Sequence, residues 1–223
     1  MASVALSSMA LGSVITLNEN GVAAEFVIAR HDYESGLNGA GRTLLVRKTS
    51  LADKHRWGSV DSTTDLRWDE RSDLKTWLEQ TYAARLDEEI RRNIGTTKYY
   101  YNIPTVSGDY QTEGSVFLLS AAELSSDKQY RDGSTKLDDA VLRVLESGGG
   151  DPWWTRSVYP NSHKEDGDDM ENWWFTRVAL YKTYRRYSWS ENKYIEGWEI
   201  DESGFPDAGY NNASFKTLVQ LLM

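Results

Sequence analysis

"DPWWTRSVYP", Asp151 to Pro160, follows a run of three glycines, Gly148 to Gly150. Read as a strand, its side chains alternate, with Trp153, Thr155 and Ser157 on one face and Trp154 and Arg156 on the other. One indole then fills the core. The second shields the aliphatic stem of Arg156, whose guanidinium is free to fix loop carbonyls or a carboxylate. The glycines read as a loop inside one domain, residues 1–223, because no long linker, repeat or low-complexity tract separates the two halves.

Downstream the composition changes. Six of the nine tryptophans lie from Trp153 onward, interleaved with tyrosines and charges, as in "ENWWFTRVALYKTYRRYSWSENKYIEGW", residues 171–198. Rings favour strands, but rings alternating with Lys, Arg, Asn and Glu cannot all be buried, so part of residues 151–223 is expected to face outward. Upstream, the region 1–50 is β-rich. "SVITLNENGVAAEFVIARHD" reads as a hairpin, since Asn20-Gly21 supplies the positive φ angles of a tight turn, and "RTLLVRKT" reads as a further strand.

The period then lengthens. Over residues 72–94, Leu74, Trp77, Leu78, Leu86, Ile90 and Ile94 form one helical stripe, with Ser72 or Asp73 as cap and Gly95 as stop. "GSVFLLSAAEL" gives a buried strand, Val116 to Leu119, and a helical turn. "TKLDDAVLRVLES" gives a second helix, with Leu137, Val141, Val144 and Leu145 on one face.

Composition excludes several classes. The 223 residues carry a net charge of −9, so the attraction that drives phosphate-backbone binding is absent and nucleic acid is not an expected partner. There is no cysteine, hence no disulfide framework and no thiolate metal site. The opening "MASVALSSMALGSV" has neither the basic start of a signal peptide nor the length of a membrane span, which predicts synthesis in a cytoplasm without a signal peptide and no membrane insertion.

Catalytic patterns are equally sparse. His31, His55 and His163 are scattered, and no Gly-x-Ser-x-Gly elbow or phosphate-cradling loop occurs. Glu123, Asp151, Glu196, Glu199 and Asp201 are the carboxylates from which an acid/base pair would have to be drawn. In "HKEDGDDMEN", residues 163–172, Asp166, Asp168 and Asp169 beside Gly167 offer hard oxygen ligands for calcium, although the spacing is not that of an EF-hand and a solvated acidic loop is the simpler reading. No other cofactor is expected, and the chain is not expected to be an enzyme.

Three stretches taken together carry a resemblance: "DLKTWLEQTYAARLDEEI" (73–90), "VFLLSAAEL" (116–124) and "WWTRS" (153–157). In that order and at these separations they resemble a domain of unknown function of gut bacteria and their phages, with hallmarks like "DLRTWLN…F", "FLLS…E" and "WWLRSP". The opening "LGSVITLNENGVAAEFVIARHD" is similar to phage versions of it. The resemblance implies an α+β fold like that of C-type lectins and formylglycine-generating enzymes: a twisted, mostly antiparallel sheet, two main helices, and a long irregular aromatic-rich C-terminal half. It implies no catalytic residues. The family's usual closing "GVRPAL" is replaced by "ASFKTLVQLLM", which keeps Leu218, Val219 and Leu221 to close the sheet.

These readings converge on a non-catalytic phage virion protein, in a tail, fibre or decoration component. Its aromatic C-terminal loops would bind a host-surface protein or glycan, because Trp, Tyr and Arg dominate binding hot spots. The expected contact residues are Trp174, Tyr181, Tyr184, Arg185, Tyr187, Trp189, Asn192 and Tyr194. The rival expectation is a structural assembly protein whose aromatic surface packs on other virion subunits, with a homo-oligomer as one form; a polysaccharide hydrolase ranks last.

Overall fold

A computed structural model describes residues 5–51, 55–58, 67–69, 72–103, 106–126, 132–148, 153–162, 174–204, 216–217 and 219–222. Along the chain, β1 (Val14–Glu19) and β2 (Val22–His31) are followed by the single turn α1 (Ser35–Asn38) and by β3 (Thr43–Arg47). Next come α2 (Asp73–Trp77), α3 (Glu88–Asn93), β4 (Thr97–Ile103), β5 (Val106–Gly114) and β6 (Val116–Leu118). After α4 (Ala121–Leu124) and α5 (Asp139–Ser147) the chain is strand: β7 (Trp153–Ser162), β8 (Trp174–Ser188), β9 (Lys193–Gly204), β10 (Lys216–Thr217) and β11 (Val219–Leu222). The architecture is α+β and mostly antiparallel.

Three sheets form among the described residues, ordered β1-β2-β3-β11-β6, β10-β7-β8-β9 and β4-β5. The β1–β2 hairpin turns on Asn20 and Gly21, at φ of 52° and 76°, as a two-residue turn between right-twisted strands requires. β11 is inserted antiparallel between β3 and β6, so the last residues close the first sheet as the apolar Val219 and Leu221 predict. β10, two residues earlier, pairs in parallel with the start of β7, at Trp153 and Trp154. The C-terminus therefore ties the two larger sheets together.

The helix expected over residues 72–94 is broken. α2 begins on the Ser72 side chain, which accepts from the Lys75 amide, and passes into a π-turn at Leu78–Tyr82 and a 3-10 turn at Ala83–Arg85. At Leu86 the backbone is extended and bridges Glu19, while the Asn20 amide donates to the Arg85 carbonyl at 2.6 Å. Docking on the β1–β2 hairpin outweighs helix continuity there, because it buries Leu86 to 1% exposure. The second helix begins at Asp139, with the Asp138 carboxylate capping the Ala140 amide.

Residues 153–204 also differ from the irregular region expected. The described part is three long strands in regular antiparallel register, interrupted only by local shifts. Alternation of rings with charges, which reads as loop-like composition, is here the signature of strands whose two faces meet different surroundings.

The alternation proposed for "WWTRS" does not hold either. Trp153, Trp154, Thr155, Arg156 and Ser157 are all at 1% exposure or less, and the β7–β8 register shifts between Trp154 and Val158. The bulge releases residues 155–157 to other partners. The Thr155 carbonyl accepts from the Trp57 indole at 2.8 Å, and the Arg156 amide donates to Leu119 at 2.9 Å. The Ser157 hydroxyl accepts from the Ala121 amide at 2.9 Å. The segment joins three elements and is covered on both sides.

Candidate functional site

Two polar constellations stand out, one buried and one displayed. The buried one is centred on Arg156, whose Nη1 donates to Glu123 Oε2 at 2.7 Å and to the Leu118 carbonyl, while Nε donates to the Tyr100 carbonyl at 2.7 Å and Nη2 to the Ser134 hydroxyl at 3.0 Å. Glu123 is fixed in turn by the Tyr33 hydroxyl and the Ser120 amide, each donating at 2.7 Å, the latter closing a capping box at the start of α4. The guanidinium lies over Tyr99, 5.1 Å from its centroid, and not over either neighbouring tryptophan. Burial lowers the Arg156 pKa, but Glu123, Tyr33 and Asp132 together outweigh it and hold the cation above its ordinary value. Burial raises the Asp132 carboxyl, against the pull of Arg156. With both partners of the ion pair at 0% exposure, no substrate reaches it. It is a joint, and it accounts for the carbonyl- and carboxylate-fixing role read for Arg156.

The displayed constellation is the far end of β8 and β9. β7 pairs with β8 only as far as Tyr181, opposite Trp153. Residues 182–188 run on past that point, roughly 23 Å at the usual strand rise, paired with 193–199. Among the described residues this is a two-stranded arm. On one face, Tyr181, Thr183, Arg185 and Tyr187 stand opposite Ile200, Trp198, Glu196 and Tyr194. The root of that face is core: Tyr181 is 5% exposed, stacks on Trp198 at 5.0 Å and donates its hydroxyl to Glu146 at 2.6 Å, and burial and that carboxylate raise its pKa. Toward the tip the same face opens. Tyr194 is 60% exposed and Trp189 is 88% exposed.

The tip is built from edge-to-face rings. Tyr187 meets Trp189 at 4.9 Å and 78° and Tyr194 at 5.2 Å and 75°, the arrangement that aromatic quadrupoles favour. Asn192 closes the turn in the left-handed region, at φ 50°, and its side chain accepts from the Tyr187 hydroxyl. Arg185 pairs with Glu196 at 3.2 Å and sits 4.7 Å from the Tyr194 centroid. On the other face Arg186 lies over Tyr184, whose ring crosses Gly197. A Cβ there would meet the Tyr184 hydroxyl at 2.9 Å, so glycine is what lets the ring lie flat.

Of the eight residues expected at the contact surface, five therefore come together, Arg185, Tyr187, Trp189, Asn192 and Tyr194, while Tyr184 lies on the opposite face of the same arm. Tyr181 is a core residue at the arm's root, because its ring packs against both Trp153 and Trp198. Trp174 opens β8, opposite Ser162, at the strand end away from the tip. Asp166, Asp168 and Asp169 lie outside the described residues. Arg186, Lys193 and Glu196 belong to the tip and are missing from the sequence-based set. The "RR" pair and the charge facing it across the turn carry the signal, but only the strand register reveals it.

Among the described residues the remaining carboxylates do not assemble. Glu123 is sealed, Glu196 serves Arg185, Glu199 stands opposite Lys182 and Asp201 opposite Leu180, and Asp151 lies outside the described residues. His31 is engaged by Thr43 and the Met9 carbonyl, and His55 stacks on Trp77 at 3.6 Å. A recess of about 280 Å³ between β1 and α3 is lined by Thr16, Leu17, Asn18, Asp87, Glu89, Ile90 and Asn93. Among the described residues no group of three or more His, Cys, Asp or Glu is placed to hold a metal ion, and no helix is long and apolar enough to cross a membrane.

A family model described as "Domain of unknown function (DUF6273)" matches residues 40–197, which takes in the buried Arg156 joint and most of the arm. No curated protein and no solved structure matches the chain.

Proposed function

The chain belongs to the DUF6273 family, and from that premise we propose that it is a non-catalytic recognition protein whose β8–β9 arm contacts a host-surface protein or glycan, as part of a phage virion. The observation that carries this reading is the exposure of Trp189 and Tyr194 at the end of a projecting hairpin. Large apolar side chains exposed singly are ordinary but informative when grouped, and here they cluster with Arg185 and Tyr187, the residue types of binding hot spots. The virion assignment is supported by the resemblance of residues 11–32 to phage openings. The C-type-lectin likeness belongs with that resemblance, as a scaffold that separates folding from recognition.

A second reading is favoured by one feature. A two-stranded ribbon is marginally stable alone, so a neighbouring subunit laid along the arm would stabilise it. One experiment separates the two. Trp189→Ala and Tyr187→Ala proteins are compared with wild type for adsorption to host cells and for incorporation into particles. We expect adsorption to fall at least about ten-fold, the effect of losing one hot-spot residue worth roughly 1.4 kcal/mol or more, with normal incorporation. Normal adsorption with failed incorporation establishes the structural role instead.

A further inference from the structure

Resting on the recognition reading above, we infer that the arm tip takes an acidic glycan, with a sugar ring on Trp189 and Tyr194 and its carboxylate on Arg185. Three observations converge on this. The groups form a row along one face: Trp189 against Tyr187 at 4.9 Å, Tyr187 against Tyr194 at 5.2 Å, and Arg185 at 4.7 Å from Tyr194. Planar rings suit the apolar faces of sugars, and a guanidinium suits a carboxylate bidentately.

Arg185 is held but not used up. Its side chain is 65% exposed, Nε faces Glu196 at 3.2 Å, and Nη1 and Nη2 have no protein partner among the described residues. Glu196 is itself 66% exposed, and an ion pair in that setting holds weakly, so a ligand carboxylate competes with it on equal terms. The Tyr194 ring meanwhile keeps the guanidinium plane in place.

Charge is distributed to match. The whole chain carries −9, yet the outer arm, residues 184–197, holds Arg185, Arg186 and Lys193 against Glu191 and Glu196. Arg185 stands four residues beyond Tyr181, roughly 13 Å of strand and more than the ~8 Å Debye length of physiological salt, so repulsion from the acidic body is screened there. A narrow, convex hairpin end also offers much less than the ~800 Å² per partner of a standard protein interface, whereas one or two sugar rings need only a few side chains.

The test uses the full chain against immobilised oligosaccharides carrying glucuronate, galacturonate or sialate, each beside its carboxyl-reduced counterpart, with single-stranded oligothymidylate as an anionic, stackable control. At least one acidic glycan is expected to bind about ten-fold tighter than its reduced form. That preference should vanish in Arg185→Ala and weaken with salt, whereas Glu196→Gln, which removes the competing carboxylate, should strengthen binding to the acidic form only. Equal binding of acidic and reduced forms overturns the inference while leaving surface recognition intact. Tighter binding of the oligonucleotide, or no glycan binding by a protein that still adsorbs to cells through Trp189, overturns it in favour of another partner. Loss of adsorption sensitivity to Trp189 removes the underlying reading as well. All the substituted side chains are exposed, so unchanged melting serves as the folding control.

Discussion

Glu123→Ala is expected to destabilise the protein by about 3–5 kcal/mol, because it strands the buried Arg156 guanidinium without its carboxylate. The loss is large for three connected reasons. Arg156 is at 0% exposure, so water cannot replace the lost partner. Glu123 also accepts from Tyr33 and Ser120, so two further buried donors lose their acceptor, and the cap that starts α4 goes with them. At about 2–4 °C per kcal/mol for a chain of this size, the thermal midpoint should fall by roughly 6–20 °C. The exposed pair formed by Arg185 and Glu196 provides the contrast. Arg185→Ala should move the midpoint by less than about 4 °C, since such pairs contribute under about 1 kcal/mol. If the two variants melt alike, Arg156 is solvated and the joint described here does not exist.

Trp153→Ala is the second large effect, expected at about 3–5 kcal/mol for a cavity left by a fully buried aromatic. Trp153 is 1% exposed, lies 4.6 Å from Trp198 and 5.4 Å from Tyr181, and pairs with β8 and β10 at the root of the arm. Its removal should therefore loosen the arm as well as the core, read as loss of near-ultraviolet ellipticity and faster amide exchange at 182–199. The indole Nε1 of Trp153 is buried without a hydrogen-bond partner among the described residues. Trp153→Phe, which deletes that donor and keeps a ring, should cost at least about 1 kcal/mol less than the alanine variant by denaturant titration. A phenylalanine variant as unstable as alanine would mean that the N–H is bonded.

How far such a molecule is legible from its residues depends on how local each determinant is. Asn20-Gly21 fixes a hairpin through two φ angles, and Ser120 with Glu123 caps a turn within four residues, so both can be read directly. The stripe from Leu74 to Ile94 is also periodic, yet Leu86 leaves the helix to bridge Glu19, a contact 67 positions away that no helical period encodes. "WWTRS" misleads in the same way. Its alternation is right for a flat strand, but the bulge at 155–157 is imposed by Leu119, Tyr100 and Trp57 from three other segments.

The tip is a mixed case. That some of the rings from Trp173 to Trp198 must face water follows from the charges between them. Which ones do depends on where β7 stops pairing with β8, and this consigns Tyr181 to the core while Tyr187, six residues further out, reaches the open end. The same register brings Glu196 to Arg185 and Lys193 to Ser188, which composition alone leaves unassigned.

The claim on which all of this rests is that the arm's end is bare in the isolated protein and covered when the protein meets its target. Hydroxyl-radical footprinting with mass spectrometry, on the protein free and on host cells, reads it residue by residue. Trp189 and Tyr194 should be oxidised fastest in the free protein and protected on cells, while Trp57, Trp68, Trp153 and Trp154, each at 1% exposure or less, stay unreactive in both states. A Trp189 as reactive on cells as in solution, or already shielded in the free protein, would contradict the account.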